Sequence, residues 1–240
     1  TIHNLSLLSL SMLDVPPLSC SEMDGIEKLF DSPVEDTPTA AGRWKLACEI
    51  DGGRLRVYSR QKDGSLMLRA TGSIDGTIAE CIALFNEIDL LCEWNKGVQS
   101  ASFEHSVSPI ERNVHALCSL PWPLPCMVVR LSACLRLDPT CERGVVVIGS
   151  SPSTKSNSMP NALKQLLHRY DELPLRLLAC RLSPLPNATT EHPQCQIDGA
   201  IHVDFRRMLG MHAAANGVPE LPHQVIAMLV NVLQPWVWRP

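Results

Sequence analysis

The sequence predicts an α+β domain dominated by an antiparallel sheet, and three observations predict it. Runs with period-two alternation of apolar residues recur from Trp44 to Val203. Asp-Gly-Gly and Lys-Asp-Gly turns separate the first three runs, as short hairpin connections require. Helical periodicity is confined to four stretches, at 19–30, 77–94, 160–173 and 219–234. The 240 residues suffice for one large core, and 45% apolar against 19% charged residues is too hydrophobic a balance for disorder.

The elements follow in chain order. After Pro16-Pro17, Ser19 or Ser21 caps a first helix, with Glu22 or Asp24 in capping-box position and Met23, Ile26, Leu29 and Phe30 on one face. Residues 32–42 hold two prolines and no periodicity, which reads as a linker. The runs WKLACEI, RLRVYSR and SLMLRATG, between Trp44 and Gly72, form a three-stranded meander. Thr77 and Glu80 make a second capping box. From it Ile78, Cys81, Ile82, Phe85, Ile88, Leu91 and Cys92 hold one face as far as Trp94, so the spacing predicts a single helix of about four turns. Six more β-like runs lie near 102–107, 113–119, 126–138, 144–150, 175–183 and 195–203. Between them Pro160 to Leu173 sets Leu163, Leu166, Leu167 and Tyr170 on the face of a surface helix. The last helix, Pro219 to Gln234, has so few polar residues that most of its sides must be buried.

Several chemistries are disfavoured. The 21 basic residues are scattered among 25 acidic ones without a basic stripe, which argues against nucleic acid as a partner. The ten cysteines sit mostly in apolar runs, no CxxC occurs, and Cys118, Cys126, Cys134 and Cys141 fit no zinc spacing. Free thiols, a reducing compartment and no metal site are therefore expected. The sequon at Asn187 matters only on a secretory route. No GxSxG, P-loop, GxGxxG or HExxH is present, Ser150 lacks the flanking glycines of a nucleophile elbow, and no two of the eight histidines are four residues apart. Neither a catalytic residue nor a cofactor site is expected. Residues 1–13 are apolar but too short to span a bilayer.

The run from Cys126 to Asp138 is the most informative. Met127, Val129, Leu131, Ala133, Leu135 and Leu137 alternate onto one face, expected to point inward, and Cys126, Val128, Arg130, Ser132, Cys134, Arg136 and Asp138 onto the other. Alternation alone fits an ordinary sheet covered by a helix equally well.

Individual residues then carry a resemblance. Trp44, Val57-Tyr58 ahead of Asp63-Gly64, Trp94, and Pro121-Trp122-Pro123-Leu124 before a strand come first. Val147-Ile148-Gly149-Ser150-Ser151 at a strand end, Arg176 opening a later strand, and Val203-Asp204 follow. In order and spacing, residues 42 to 233 resemble the START (steroidogenic acute regulatory protein-related lipid transfer) domain family. Three departures stand out: Pro125-Cys126 replaces an Arg-Asp pair, the segment before Arg176 is longer by roughly a helix, and Leu177 to Pro184 lacks a Gly-containing turn.

The resemblance implies a helix-grip fold, a curved antiparallel sheet wrapped around a long C-terminal α-helix that encloses a hydrophobic cavity. The domain would span 42–235, preceded by a segment with a short helix and linker at 1–41 and followed by a tail at 236–240. It further implies a cavity wall of Met127, Val129, Leu131, Ala133 and Leu135, closed by Val225, Met228, Leu229 and Val232 of the last helix. Leu131 stands where some sterol-binding members place an Arg, which implies a more apolar chamber. Trp236 and Trp238 beside Arg239 have the amphipathic character favoured at membrane interfaces. The function implied is binding of one lipid or sterol for transfer or sensing, without chemistry, in the cytoplasm and with transient contact at a membrane surface. Two alternatives stay open: a helix-grip enzyme acting on an aromatic or polyketide ligand, and a ligand-free interaction module of a larger protein.

Overall fold

The period-two runs pair into a nine-stranded, wholly antiparallel sheet in the order β1-β2-β3-β9-β8-β7-β6-β5-β4. The computed structural model describes Ser19, Asp24, Ile26, Phe30 and residues 44–204, apart from 63–64, 96, 109, 120–124, 142–143, 153–158, 174 and 187–192. The expected C-terminal helix, with Val225, Met228, Leu229 and Val232, and the tail residues Trp236 and Trp238 lie outside the described residues, as does Pro121-Trp122-Pro123-Leu124.

The meander consists of β1 (Lys45–Ile50), β2 (Leu55–Lys62) and β3 (Ser65–Asp75). Asp51-Gly52-Gly53 links the first two, and Gly52 takes φ 64, a left-handed conformation that side chains disfavour. Gly72 is required for another reason: a Cβ on it would overlap the Arg54 carbonyl where β3 passes the start of β2.

The capping box forms as its spacing predicts. The Thr77 amide donates to Glu80 Oε2 at 2.7 Å, and the Glu80 amide donates to Thr77 Oγ1 at 3.1 Å. Helix α1 that follows is shorter than expected, Ile78–Asn86, and the chain continues as a 3₁₀ turn at Ile88–Leu90 and the one-turn helix α2, Leu91–Trp94. The single long helix is thus corrected to three pieces, broken at Glu87 with φ −90 and ψ 58. Ile78, Cys81 and Ile82 pack on one cluster, whereas Leu91 packs on another with Val98, Ala116 and Cys118, and the break redirects the chain between them.

The remaining strands are β4 (Val98–Ser108), β5 (Glu111–Cys118), β6 (Met127–Leu137), β7 (Val145–Ser150), β8 (Leu175–Pro184) and β9 (Gln194–Asp204). β8 does run straight through to Pro184, as its missing glycine implied. Helix α3, Asn161–Arg169, ends four residues before the expected Leu173, because Tyr170 is already extended and the Leu173 amide pairs instead with the Val128 carbonyl at 2.8 Å.

The two faces of the sheet are covered differently. On one, α1 packs on Leu55, Ile74, Leu135, Val145, Val147, Leu182 and Ile197. That α1 face continues as a second cluster of Val57, Leu66, Leu68, Met127, Leu175 and Val203. On the opposite face, α3 buries Leu163 completely against Leu117 and Val128. Ile26 and Phe30, both helical, pack beside it on Val146, Ile148, Ala179 and Ala200. The guanidinium groups of Arg69 and Arg181 each lie 5.4 Å from the Phe30 ring centre.

Candidate functional site

The β6 alternation survives in three dimensions. Met127, Val129, Leu131 and Leu135 belong to the clusters of the α1 face. Continuous pairing sets Ala133 among them, between Arg112 of β5 and Gly149 of β7. Met127 and Leu135 are buried, Val129, Leu131 and Ala133 half-buried, and Leu137 exposed. The strand therefore presents a row of partly open apolar side chains.

Gly149 shapes this row. A Cβ there would meet Leu131 Cδ1 at 2.7 Å, so its absence lets the Leu131 side chain lie over the neighbouring strand. The paired positions across the sheet run Leu68, Ile201, Leu178, Gly149, Ala133 and Arg112, apolar until the last.

Arg112 adds one cation to this otherwise apolar row. β5 and β6 pair without a bulge, so Arg112 shares the α1 face with Val114 and Ala116. Its guanidinium lies 5.0 Å from the ring centre of Phe103 on β4. Its Nε is buried and meets no hydrogen-bond partner. A buried cationic donor without an acceptor is costly, and a ligand oxygen would relieve it. Sequence reasoning missed this residue, although the alternation Arg112, Val114, Ala116, Cys118 puts it on the apolar face of β5.

The opposite face of β6 is not a solvated one. Arg130 is only 2% exposed. Its Nε and Nη2 donate to Glu104 Oε1 and Oε2 at 2.9 and 3.1 Å, and Nη1 lies 3.9 Å from Glu172 Oε1. The hydrogen bonds to Glu104 push the Arg130 guanidinium further up. Beside it His115 Nε2 lies 3.1 Å from Ser102 Oγ, while Nδ1 is buried without a partner. Burial draws the imidazole down, against the opposing pull of Glu104. Both Glu104 oxygens are committed to Arg130, so the Ser102–His115 pair lacks the orienting carboxylate that a hydrolytic triad uses.

Among the described residues no three His, Cys, Asp or Glu side chains are grouped so as to hold a metal, and no helix is long and apolar enough to cross a membrane. The nine described cysteines are free thiols, of which only Cys92 is exposed.

No protein-family model and no curated protein matches this sequence. Solved structures do match it in shape. Human StAR-related lipid transfer protein 5 superposes with a TM-score of 0.58 at 15% identity, covering 90% of this chain and 95% of its own. The human StarD13 (DLC2) lipid transfer and protein localization domain gives 0.55 at 10% identity over 92% and 95%. Human STARD10 gives 0.53 at 10% identity over 90% and 80%. At such identities the likeness is one of fold: the chain has the architecture of StAR-related lipid transfer domains, in a divergent form.

Proposed function

We propose that this START-like chain binds one amphiphilic lipid or sterol on its α1 face and carries or senses it without chemistry. The observation that carries the reading is the fold shared with three lipid transfer domains over nine-tenths of the chain. The α1 face adds detail. The ligand's hydrocarbon lies along Leu68, Ile201, Leu178 and Leu131, and its oxygen-bearing end meets Arg112. Met127, Val129, Ala133 and Leu135 complete the wall, with Val225, Met228, Leu229 and Val232 closing over it. Trp236 and Trp238 supply the transient membrane contact of a cytoplasmic protein.

Native mass spectrometry of the purified chain should show a copurified lipid. Titration with dansyl-undecanoic acid and with its methyl ester then tests the orientation. Loss of a charged hydrogen bond costs roughly 1.5–3 kcal/mol, so Arg112→Leu should weaken the acid by about 10–150-fold and leave the ester nearly unchanged. Val129→Trp should block both probes. A folded protein with no copurified lipid and no response to either probe would refute lipid binding. Ending the chain at Gln234 should slow transfer between vesicles while probe binding survives.

A further inference from the structure

Cys81 on α1 and Cys195 on β9 bring their sulfurs to 3.6 Å although 114 residues separate them. That is the reach of a thiol–thiol hydrogen bond, against a covalent bond of about 2.0 Å in a disulfide. Both sites are anchored close by. The Cys81 amide donates to the Thr77 carbonyl at 3.1 Å, within the turn that the Thr77–Glu80 capping box fixes. The preceding Gly76 donates to the Pro193 carbonyl at 2.7 Å, two residues before Cys195. Cys195 is itself held on both sides, paired with Ile74 of β3 and Pro184 of β8. The helix and the strand are thus tied together at their near ends, and the two thiols face each other one turn further on.

We propose that Cys81 and Cys195 form a redox couple, closed to a disulfide by a peroxide oxidant, which staples α1 to β9 across one end of the α1 face. The Cys195 thiolate attacks one oxygen of hydrogen peroxide and breaks the O–O bond; the sulfur becomes a sulfenic acid, and the departing hydroxide takes a proton to give water. Cys81 then displaces hydroxide from that sulfur, and its own proton leaves with it as a second water. Two thiols are oxidised and one peroxide is reduced, giving one disulfide and two waters.

The roles follow from the pair's hydrogen bond. The hydrogen bond shared with Cys81 draws the Cys195 thiol down against the effect of burial, while the same bond, with burial, pushes Cys81 up. Cys180, in the same cluster, is pushed up to about 12, chiefly by burial, and stays a bystander thiol.

The test needs no ligand. The full chain is treated with hydrogen peroxide, its remaining thiols are blocked with N-ethylmaleimide in denaturant, and its peptides are mapped. One cross-linked Cys81–Cys195 peptide should appear, reversed by dithiothreitol, and the amides of Ile78–Asn86 should exchange hydrogen more slowly in the oxidised protein. Cys81→Ser should lose the cross-link and leave Cys195 as a sulfenic acid that dimedone traps; if that variant does not fold, mapping of the unaltered chain decides alone. The proposal is overturned if Cys81 and Cys195 stay reduced at a peroxide dose that oxidises exposed Cys92, or if the cross-link runs to Cys180.

Discussion

Replacing Glu104 by Gln isolates the energetic role of the ion pair between β4 and β6. The Arg130 side chain is 3% exposed and that of Glu104 8%, so water cannot replace a missing partner. Glu172, 30% exposed and 3.9 Å away, cannot substitute for two short hydrogen bonds. Stranding one member of a buried pair costs about 3–5 kcal/mol, and because Gln keeps one acceptor oxygen the lower end applies, about 3 kcal/mol. For a chain of this size each kcal/mol moves the melting temperature by about 2–4 °C, so Glu104→Gln should melt roughly 6–12 °C lower. Circular dichroism melts and urea titrations both read this quantity. Two controls sharpen it. Glu104→Gln combined with Arg130→Met removes both charges and should recover most of the loss. Glu49→Gln breaks the exposed pair with Arg56 and should change stability by less than about 1 kcal/mol. If Glu104→Gln melts within about 2 °C of the unaltered protein, the pair is not isolated from solvent and the reasoning fails.

Three further outcomes are expected. His115 and His202 are both drawn down, by burial first, so the unfolded chain binds more protons than the folded one; their stabilisation is complete above about pH 6.5 and is lost as pH falls below it. Melting temperatures measured from neutral to mildly acidic pH should fall, and less so in His115→Gln/His202→Gln. Gly72→Ala forces a Cβ onto the Arg54 carbonyl and should lower the urea midpoint by more than a typical surface change, whereas Gly52→Ala meets open space and pays only for its left-handed backbone. Leu163→Ala empties a fully buried site under α3 and should cost about 2–5 kcal/mol, read by the same titration.

The sequence makes local pattern legible and leaves long-range placement hidden. Thr77 and Glu80 lie three residues apart, so their cap could be read directly, and the strands appear because period-two alternation is a local property. The helix break at Glu87 has no proline or glycine to mark it; it arises because Ile82 and Leu91 serve different clusters. The alternation places Arg130 on the second face of β6 but not its ion pair, because Glu104 sits on β4, two strands away in the sheet. Arg112 was within reach, since the same alternation that places Val129 and Leu131 places it. Its neighbour Phe103 needed the β4–β5 register, which bulges shift.

The strand order also governs when this protein can exist during its own synthesis. β1 to β3 form a local meander, and β4 to β8 pair with their successors, but the two groups meet only through β9, which is made last of the nine strands. Until residues 194–204 leave the ribosome, β3 and β8 present unpaired edges of the kind that recruit other chains. Closure then demands contacts between residues more than a hundred positions apart, such as Ser65 with Asp204, which slows folding. Nascent chains stalled before Gln194 should therefore depend on chaperones, and a release that completes β9 should end that dependence.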